Sequence, residues 1–381
     1  MSASASPSRP PRPPLDPDQV AAATLACLPD ITPRRLRALL DAFGGPLPAL
    51  DAVLRDRVLR VLREVSPPRT HDALPTLVRL WASVGSDARL PHLLAARGTR
   101  VFVHGRPGYP IDEMPSPPPV LLAEGERAGA CDGPRVAVVG TRSATPHGLA
   151  DAREIGASLA AADCTVVSGL AIGIDAAAHE GALDAGGTVV GVLGTGLDVV
   201  YPRRHRALFA RVREQGLLVS ELGYGVGPRK SAFPVRNRII AGLADAVVVV
   251  EATEKGGARI TADQAMDYGR PVLAMPGSRR NPAAAGTNRL IYDGAQPLLA
   301  PDDVLVALGL TARARRGAAA ARPEPVGDAA RVLRACGGEP ATLDQLASRT
   351  GLSLDALVGA VRTLEREGRM TRRDGCYWPL P

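Results

Sequence analysis

Between residues 97 and 310, short apolar runs rich in β-branched residues alternate with amphipathic stretches of helical period. This pattern constrains the chain more than any other feature. The runs are RVAVVG, CTVVSG, GTVVGVLG, GLLVSE, DAVVVVEA and RPVLAMPG. A strand covered on both faces is apolar nearly throughout, and a strand followed by a helix returns parallel to itself. The reading is therefore an α/β fold, with a Rossmann-like, mostly parallel sheet and helices on both faces.

The flanks read differently. Residues 1–16 form a Pro/Ser-rich flexible tail with no apolar segment of the kind a signal peptide needs. Residues 17–95 have helical periodicity. In LPDITPRRLRALLDAFGG, Leu36, Leu39, Leu40 and Phe43 share a face, Thr32 is placed to cap, Pro33 opens the helix and Gly44-Gly45 ends it. VLRDRVLRVLREV and LPTLVRLWASVG repeat that period. Residues 311–327 read as an Ala/Arg/Pro linker. Residues 328–381 read as helix, turn at Gly351, helix, then a hairpin turning at Asp374-Gly375, which is the pattern of a winged helix. This last unit has eight Arg against seven acidic residues. Its charge leaves its partner open between duplex DNA and a protein.

The whole chain of 381 residues carries a formal charge of +7, which favours a polyanionic partner. Aromatic residues make up only 3%, so a binder built on rows of stacking rings is excluded. Phosphate contacts must come from backbone amides, helix N-termini and cations. Five cysteines, odd in number and at no metal-ligand spacing, suggest neither a disulfide framework nor a zinc site, and fit a reducing cytoplasm. No apolar run approaches the length of a membrane span.

Ligands of open parallel sheets bind beyond the carboxyl ends of the strands. The strand ends here are glycine-rich and several carry cations. The first holds Gly140, Thr141, Arg142 and Ser143. The second, Ser168-Gly169, opens into a loop with Gly173 and a helix on which Asp175 and His179 share a face. They read as a structural pair, or as an acid/base pair. The third end holds Gly194, Gly196 and Asp198, followed by Tyr201. After the fourth, at Glu221, come Lys230 and Phe233, then a helix with Arg236, Asn237 and Arg238 in its first turn. A row of cations at a positive helix end suggests a bound anion. The fifth end, at Glu251, leads to Lys255, Gly256, Gly257 and Thr261. Each loop alone is a weak signal, but their convergence on one sheet edge points to a phosphate-bearing ligand. The G-x-G-x-x-G fingerprint, a Walker lysine, the G-x-S-x-G elbow and H-E-x-x-H are all absent. The carboxylates Asp175, Asp198, Glu221 and Glu251 single out no acid/base pair. No catalytic residue, cofactor or metal is assigned.

The segments VAVVGTRSATPHG, SGLAIGIDAAAH, GTGLDVVYPRRHRAL, SELGYG, FPVRNRIIAGLADAVVVVEA, KGGARITADQAMDYGRPVLAMPG and GTNRLIYDGA, in that order, resemble the DprA/Smf family. Gly108-Tyr109-Pro110 resembles its lead-in, the N-terminal helices its SAM-like domain and the last unit its winged-helix domain. The resemblance implies a non-enzymatic homodimer that binds and protects single-stranded DNA and passes it to the RecA recombinase in natural transformation or homologous recombination. Carried onto this chain, it places a positive pocket at Arg142, with Ser168, Gly169, Lys255, Gly256 and Gly257 nearby. Gly140, Gly173, Lys230, Arg236, Asn237, Arg238 and Thr261 are further strand-contacting candidates. Asp175, His179, Asp198 and Phe233 organise the site. Ile172 and Ala244 depart from the family, which often has a basic residue and Ser there. The rival reading is a nucleotide-hydrolysing Rossmann-like enzyme. It is weakened because Gln264 stands where that group's loop places a carboxylate.

Overall fold

The computed structural model describes residues 14–111, 113–310, 325–337, 339–373 and 375–380. Most of the linker, most of the N-terminal tail and Asp374 of the expected hairpin turn lie outside the described residues. Six helices come first: α1 (Pro17–Ala26), α2 (Pro33–Phe43), α3 (Pro46–Leu54), α4 (Leu59–Val65), α5 (Leu74–Gly85) and α6 (Arg89–Arg97). In α2, the Thr32 hydroxyl accepts from the Arg35 amide, and Gly44 closes the helix in the left-handed region. Leu36 and Leu39 are buried, while Leu40 and Phe43 pack half-buried against the same core. VLRDRVLRVLREV does not form one helix. It breaks between α3 and α4, where Asp56 takes a φ of 57°, a conformation Asp tolerates better than most side chains.

The sheet contains β1 (Arg100–Val103), β2 (Val120–Glu124), β3 (Arg135–Val139), β4 (Thr165–Ser168), β5 (Val189–Val192), β6 (Leu217–Ser220), β7 (Ala246–Val249), β8 (Val272–Ala274) and β9 (Gln296–Pro297). Its order is β1-β2-β6-β5-β4-β3-β7-β8-β9. Strands β3 to β9 pair in parallel; β1 and β2 add an antiparallel edge. The six apolar runs of the sequence are β3 to β8. From β3 the chain winds outward through β4, β5 and β6, then returns to the other side of β3 with β7. The order reverses between β3 and β7, so their carboxyl ends diverge into a crevice.

Alternate residues of β3 serve opposite faces, as the strand period requires. Val136 and Val138 join one cluster, with α7 (Pro146–Ala161), α8 (Ile174–Asp184) and α9 (Arg206–Gln215). Ala137 and Val139 join the other, with α10 (Ala232–Leu243), α11 (Gly257–Asp267) and α12 (Ala285–Tyr292). The first cluster continues into the N-terminal helices, reaching the fully buried Trp81. Helix α13 (Asp302–Ala307) ends this region.

The C-terminal unit has its own core. It comprises α14 (Gly327–Cys336), α15 (Leu343–Thr350), α16 (Leu354–Arg366) and the antiparallel pair β10 (Met370–Arg373) and β11 (Cys376–Pro379). Thr342 and Gln345 form a reciprocal capping box on α15, and Gly351 ends it at φ 65°. The ring of Trp378 lies 5.1 Å from that of His147, which brings β11 against the start of α7. Among the described residues, no helix is long and apolar enough to cross a membrane.

Candidate nucleic-acid interface

A cavity of about 560 Å3 opens at the crevice between β3 and β7. Its lining brings together residues that follow all five strand ends: Gly140, Thr141 and Arg142; Asp175; Tyr201; Lys230, Phe233, Arg236 and Asn237; Gly256, Gly257 and Thr261. Gly140, Arg142, Asp175, Lys230, Phe233, Arg236, Asn237, Gly256, Gly257 and Thr261 were all singled out in the sequence. Ser168, Gly169, Gly173, His179, Asp198, Arg238 and Lys255 stand outside the lining.

The walls are knit by backbone bonds between loops. The Thr141 amide donates to the Glu251 carbonyl at 2.7 Å, joining the first and fifth strand ends. The Glu251 carboxylate accepts from the Thr145 amide at 2.9 Å and the Thr145 hydroxyl at 2.6 Å, while that hydroxyl accepts from Gly148 at the start of α7. At Gly173, φ is 89°, and an added Cβ would lie 2.4 Å from the Thr141 carbonyl. Only glycine lets the second loop close against the first there.

Arg236 and Asp175 form the buried floor. Arg236 is 5% exposed. Its Nη1 donates to the Gly169 carbonyl at 2.9 Å and also to the Val192 carbonyl, which ties the ends of β4 and β5 together. Its Nε donates to the Asn237 side chain, whose own amide donates to the Gly257 carbonyl at 3.1 Å. Burial pulls the Arg236 guanidinium down to about 10, opposed by the Asp175 charge, so it stays protonated at neutral pH. Burial pushes the Asp175 carboxyl up, opposed by Arg236 and by the amides of Gly169 and Ala171 that donate to it.

Two expectations are corrected by this geometry. Asp175 does not pair with His179; its oxygens take backbone amides. His179 is fully buried, and burial brings its imidazole down to about 4, leaving it a neutral packing group under the sheet end. The arginines at the start of α10 are not a free anion site either. Arg236 turns inward, and Arg238 pairs with the buried Glu221 carboxylate while donating to the Ser116 carbonyl. Asp198 accepts from the Gly225 amide at 2.9 Å and braces the third loop against the fourth. The buried Ser168 hydroxyl donates to the Val138 carbonyl.

The groups that remain open to a ligand are Arg142 and Lys230, both exposed, and the amino end of α11. Gly256 caps α11 without any side-chain hydrogen bond, so the first amides of the helix are not met by a cap. Exposed Lys255 sits in the loop just before them. The four carboxylates at the strand ends are each engaged by protein donors, as described. Among the described residues, no group of three or more His, Cys, Asp or Glu could hold a metal ion. The cavity therefore presents cations and amides around an apolar lip. It suits phosphate oxygens more than proton-transfer chemistry.

Sequence reasoning expected Phe233 to organise the site but missed its pairing with Tyr201. Phe233 stacks on Tyr201 with centroids 5.3 Å apart, and the Arg142 guanidinium lies 5.6 Å from the Phe233 centroid. Both rings stand in quoted motifs, but no periodicity signals that the third and fourth loops bring them together.

Residues 100–309 match the family model of DNA recombination-mediator protein A, and residues 316–375 match that of the DprA winged helix domain. A putative DNA processing protein DprA of Mycobacterium tuberculosis is 36% identical over 379 residues, covering 95% of this chain and 94% of that one. Protein Smf of Synechocystis is 45% identical over 208 residues, about half of each chain. Among solved structures, DprA of Streptococcus pneumoniae superposes with a TM-score of 0.61 at 30% identity, covering 75% of this chain and 96% of that one. DprA of Helicobacter pylori, described for its single-stranded DNA binding mode, has a TM-score of 0.50 at 29% identity, with coverage of 55% and 95%.

Proposed function

The chain belongs to the DprA/Smf family of DNA recombination mediators, and from that premise we propose that it holds single-stranded DNA in the cavity between β3 and β7 and delivers it to RecA. Its role is DNA processing in recombination. One observation carries the assignment of the site: Arg142, Lys230 and the uncapped start of α11 surround one cavity at the sheet's reversal point. Arg142 supplies a planar fork of donors for phosphate, and Lys230 and Lys255 supply point charges. Asn237 donates to the Gly257 carbonyl and so ties the start of α10 to the start of α11 at the cavity wall. Arg236 and Asp175 fix the floor rather than the ligand.

In this reading the protein is a binder and not an enzyme. Base release from a nucleotide needs a carboxylate free to move a proton or hold a hydroxyl. Asp175, Asp198, Glu221 and Glu251 each accept hydrogen bonds from the protein itself. In the same reading the winged helix takes duplex DNA or a protein, and the protein works as a cytoplasmic homodimer.

The test is a loading assay. RecA is given single strands already coated with single-strand-binding protein, and its ATP hydrolysis is followed with and without this protein. Acceleration by wild type and loss of acceleration with Arg142→Ala is the expected result. No acceleration, together with base release from nucleoside monophosphates, would replace this reading by the enzymatic one.

A further inference from the structure

The cavity's apolar lip is a layered stack with an open end. Arg142 lies over one ring, Phe233, which stacks at 29° on a second, Tyr201. Tyr201 is 41% exposed although it is a large aromatic side chain. The chain has only twelve Phe, Tyr and Trp residues. Leaving one of them half in water at the cavity mouth costs apolar burial, so an occupant for its outer surface is expected. After Pro202 come Arg203 and Arg204, both exposed and without an ion pair among the described residues. The feature thus combines a ring that lines the cavity with two exposed cations that follow it in the chain but stand outside the lining.

Resting on the reading of that cavity as a single-strand site, we propose that Tyr201 is a stacking platform for a nucleobase, and that the strand leaves the cavity over it toward Arg203 and Arg204. Every base has a π-face, so a single ring at this point accepts any sequence. Stacking needs an unpaired base, which a duplex does not offer at a cavity mouth. Tyr201 therefore supplies discrimination against duplex that the phosphate-binding cations cannot, since phosphates are present on both. The Arg142–Phe233 layer behind it holds the platform from the inner side.

The experiment uses the full-length protein and two fluorescent oligonucleotides of equal phosphate count, an oligothymidylate and one whose bases are replaced by abasic spacers. For Tyr201→Ala, affinity for the oligothymidylate should fall about tenfold, the order one stacked base carries. Its log–log salt slope should be unchanged, because no phosphate contact is lost. On the abasic strand, wild type and Tyr201→Ala should bind alike, and Tyr201→Phe should behave as wild type on both. Arg203→Ala with Arg204→Ala should instead flatten the salt slope by about 0.7 per phosphate released. Two results would overturn the proposal while sparing the cavity: equal affinity of Tyr201→Ala and wild type while Arg142→Ala is weakened, or the same loss on both strands, which would make Tyr201 a brace for Phe233. Loss of effect in Arg142→Ala as well would remove the single-strand site itself.

Discussion

Replacing Arg236 with methionine separates a residue that builds the cavity from one that touches the ligand. Met is of similar length and lacks the charge. In the variant, the Gly169 and Val192 carbonyls lose a cationic donor, and Asp175 loses the charge that offsets its burial. Two charge-assisted bonds put roughly 3–6 kcal/mol at stake. Relief of the guanidinium's own desolvation returns part of that, leaving a net loss of about 3 kcal/mol. With a urea dependence of roughly 3 kcal/mol per molar, the midpoint should fall by about 1 M. Trp81 is fully buried in the cluster that also packs one face of the sheet. Its emission, read in a Trp378→Phe background, follows unfolding of that body without the C-terminal unit. The pH dependence has a definite sign. Burial raises the folded Asp175 carboxyl above its ordinary value of 3.8, and removing Arg236 raises it further. Stability from this group is full below that ordinary value and is lost as pH rises through the folded one, so the deficit of the variant should shrink in acidic buffer. An unshifted urea midpoint, with a salt slope for single-strand binding flatter by about 0.7, would refute the reasoning. Arg236 would then be a phosphate ligand.

Two further predictions concern the walls. In Gly194→Ala, the new Cβ would meet Phe233 Cδ1 at 2.8 Å. Phe233 is only half-buried and can swing outward, so stability should drop by only about 1 kcal/mol in urea unfolding, while single-strand affinity falls because the Arg142–Phe233–Tyr201 stack is displaced; unchanged affinity would show the stack to be irrelevant to binding. In Thr145→Val, α7 loses its cap and Glu251 a hydroxyl donor. Thermal unfolding should report a loss of about 2 kcal/mol, largely restored by Thr145→Ser, whereas equal losses in both variants would assign the effect to packing.

The doubly covered strands were legible because β3 to β8 are apolar on both faces. Strand β1 was not, since RVFV is short and alternates half-buried and buried residues at a sheet edge, and β9 spans two residues only. The glycine-rich strand ends were legible as a set, because parallel topology forces them onto one edge. What each side chain does there was not. Arg236 and Arg142 look alike in sequence, yet one is buried against Gly169 and the other is exposed. That difference depends on which face of α10 meets the sheet, and the helical period does not fix this when Val235, Arg236 and Ile239 alternate around it. The Tyr201–Phe233 stack joins loops after different strands, a contact set by sheet order rather than by local pattern.

The central claim is that this cavity holds a single strand through Arg142. It is tested most directly by titrating wild type and Arg142→Ala with single-stranded and duplex oligonucleotides across a series of salt concentrations. The account predicts tighter binding of single strands, a steep slope for wild type, and a slope flatter by about 0.7 for each phosphate contact the mutant loses. Equal affinity for the two forms of DNA, or superimposable wild-type and mutant slopes in a mutant that unfolds at the wild-type urea midpoint, would contradict it.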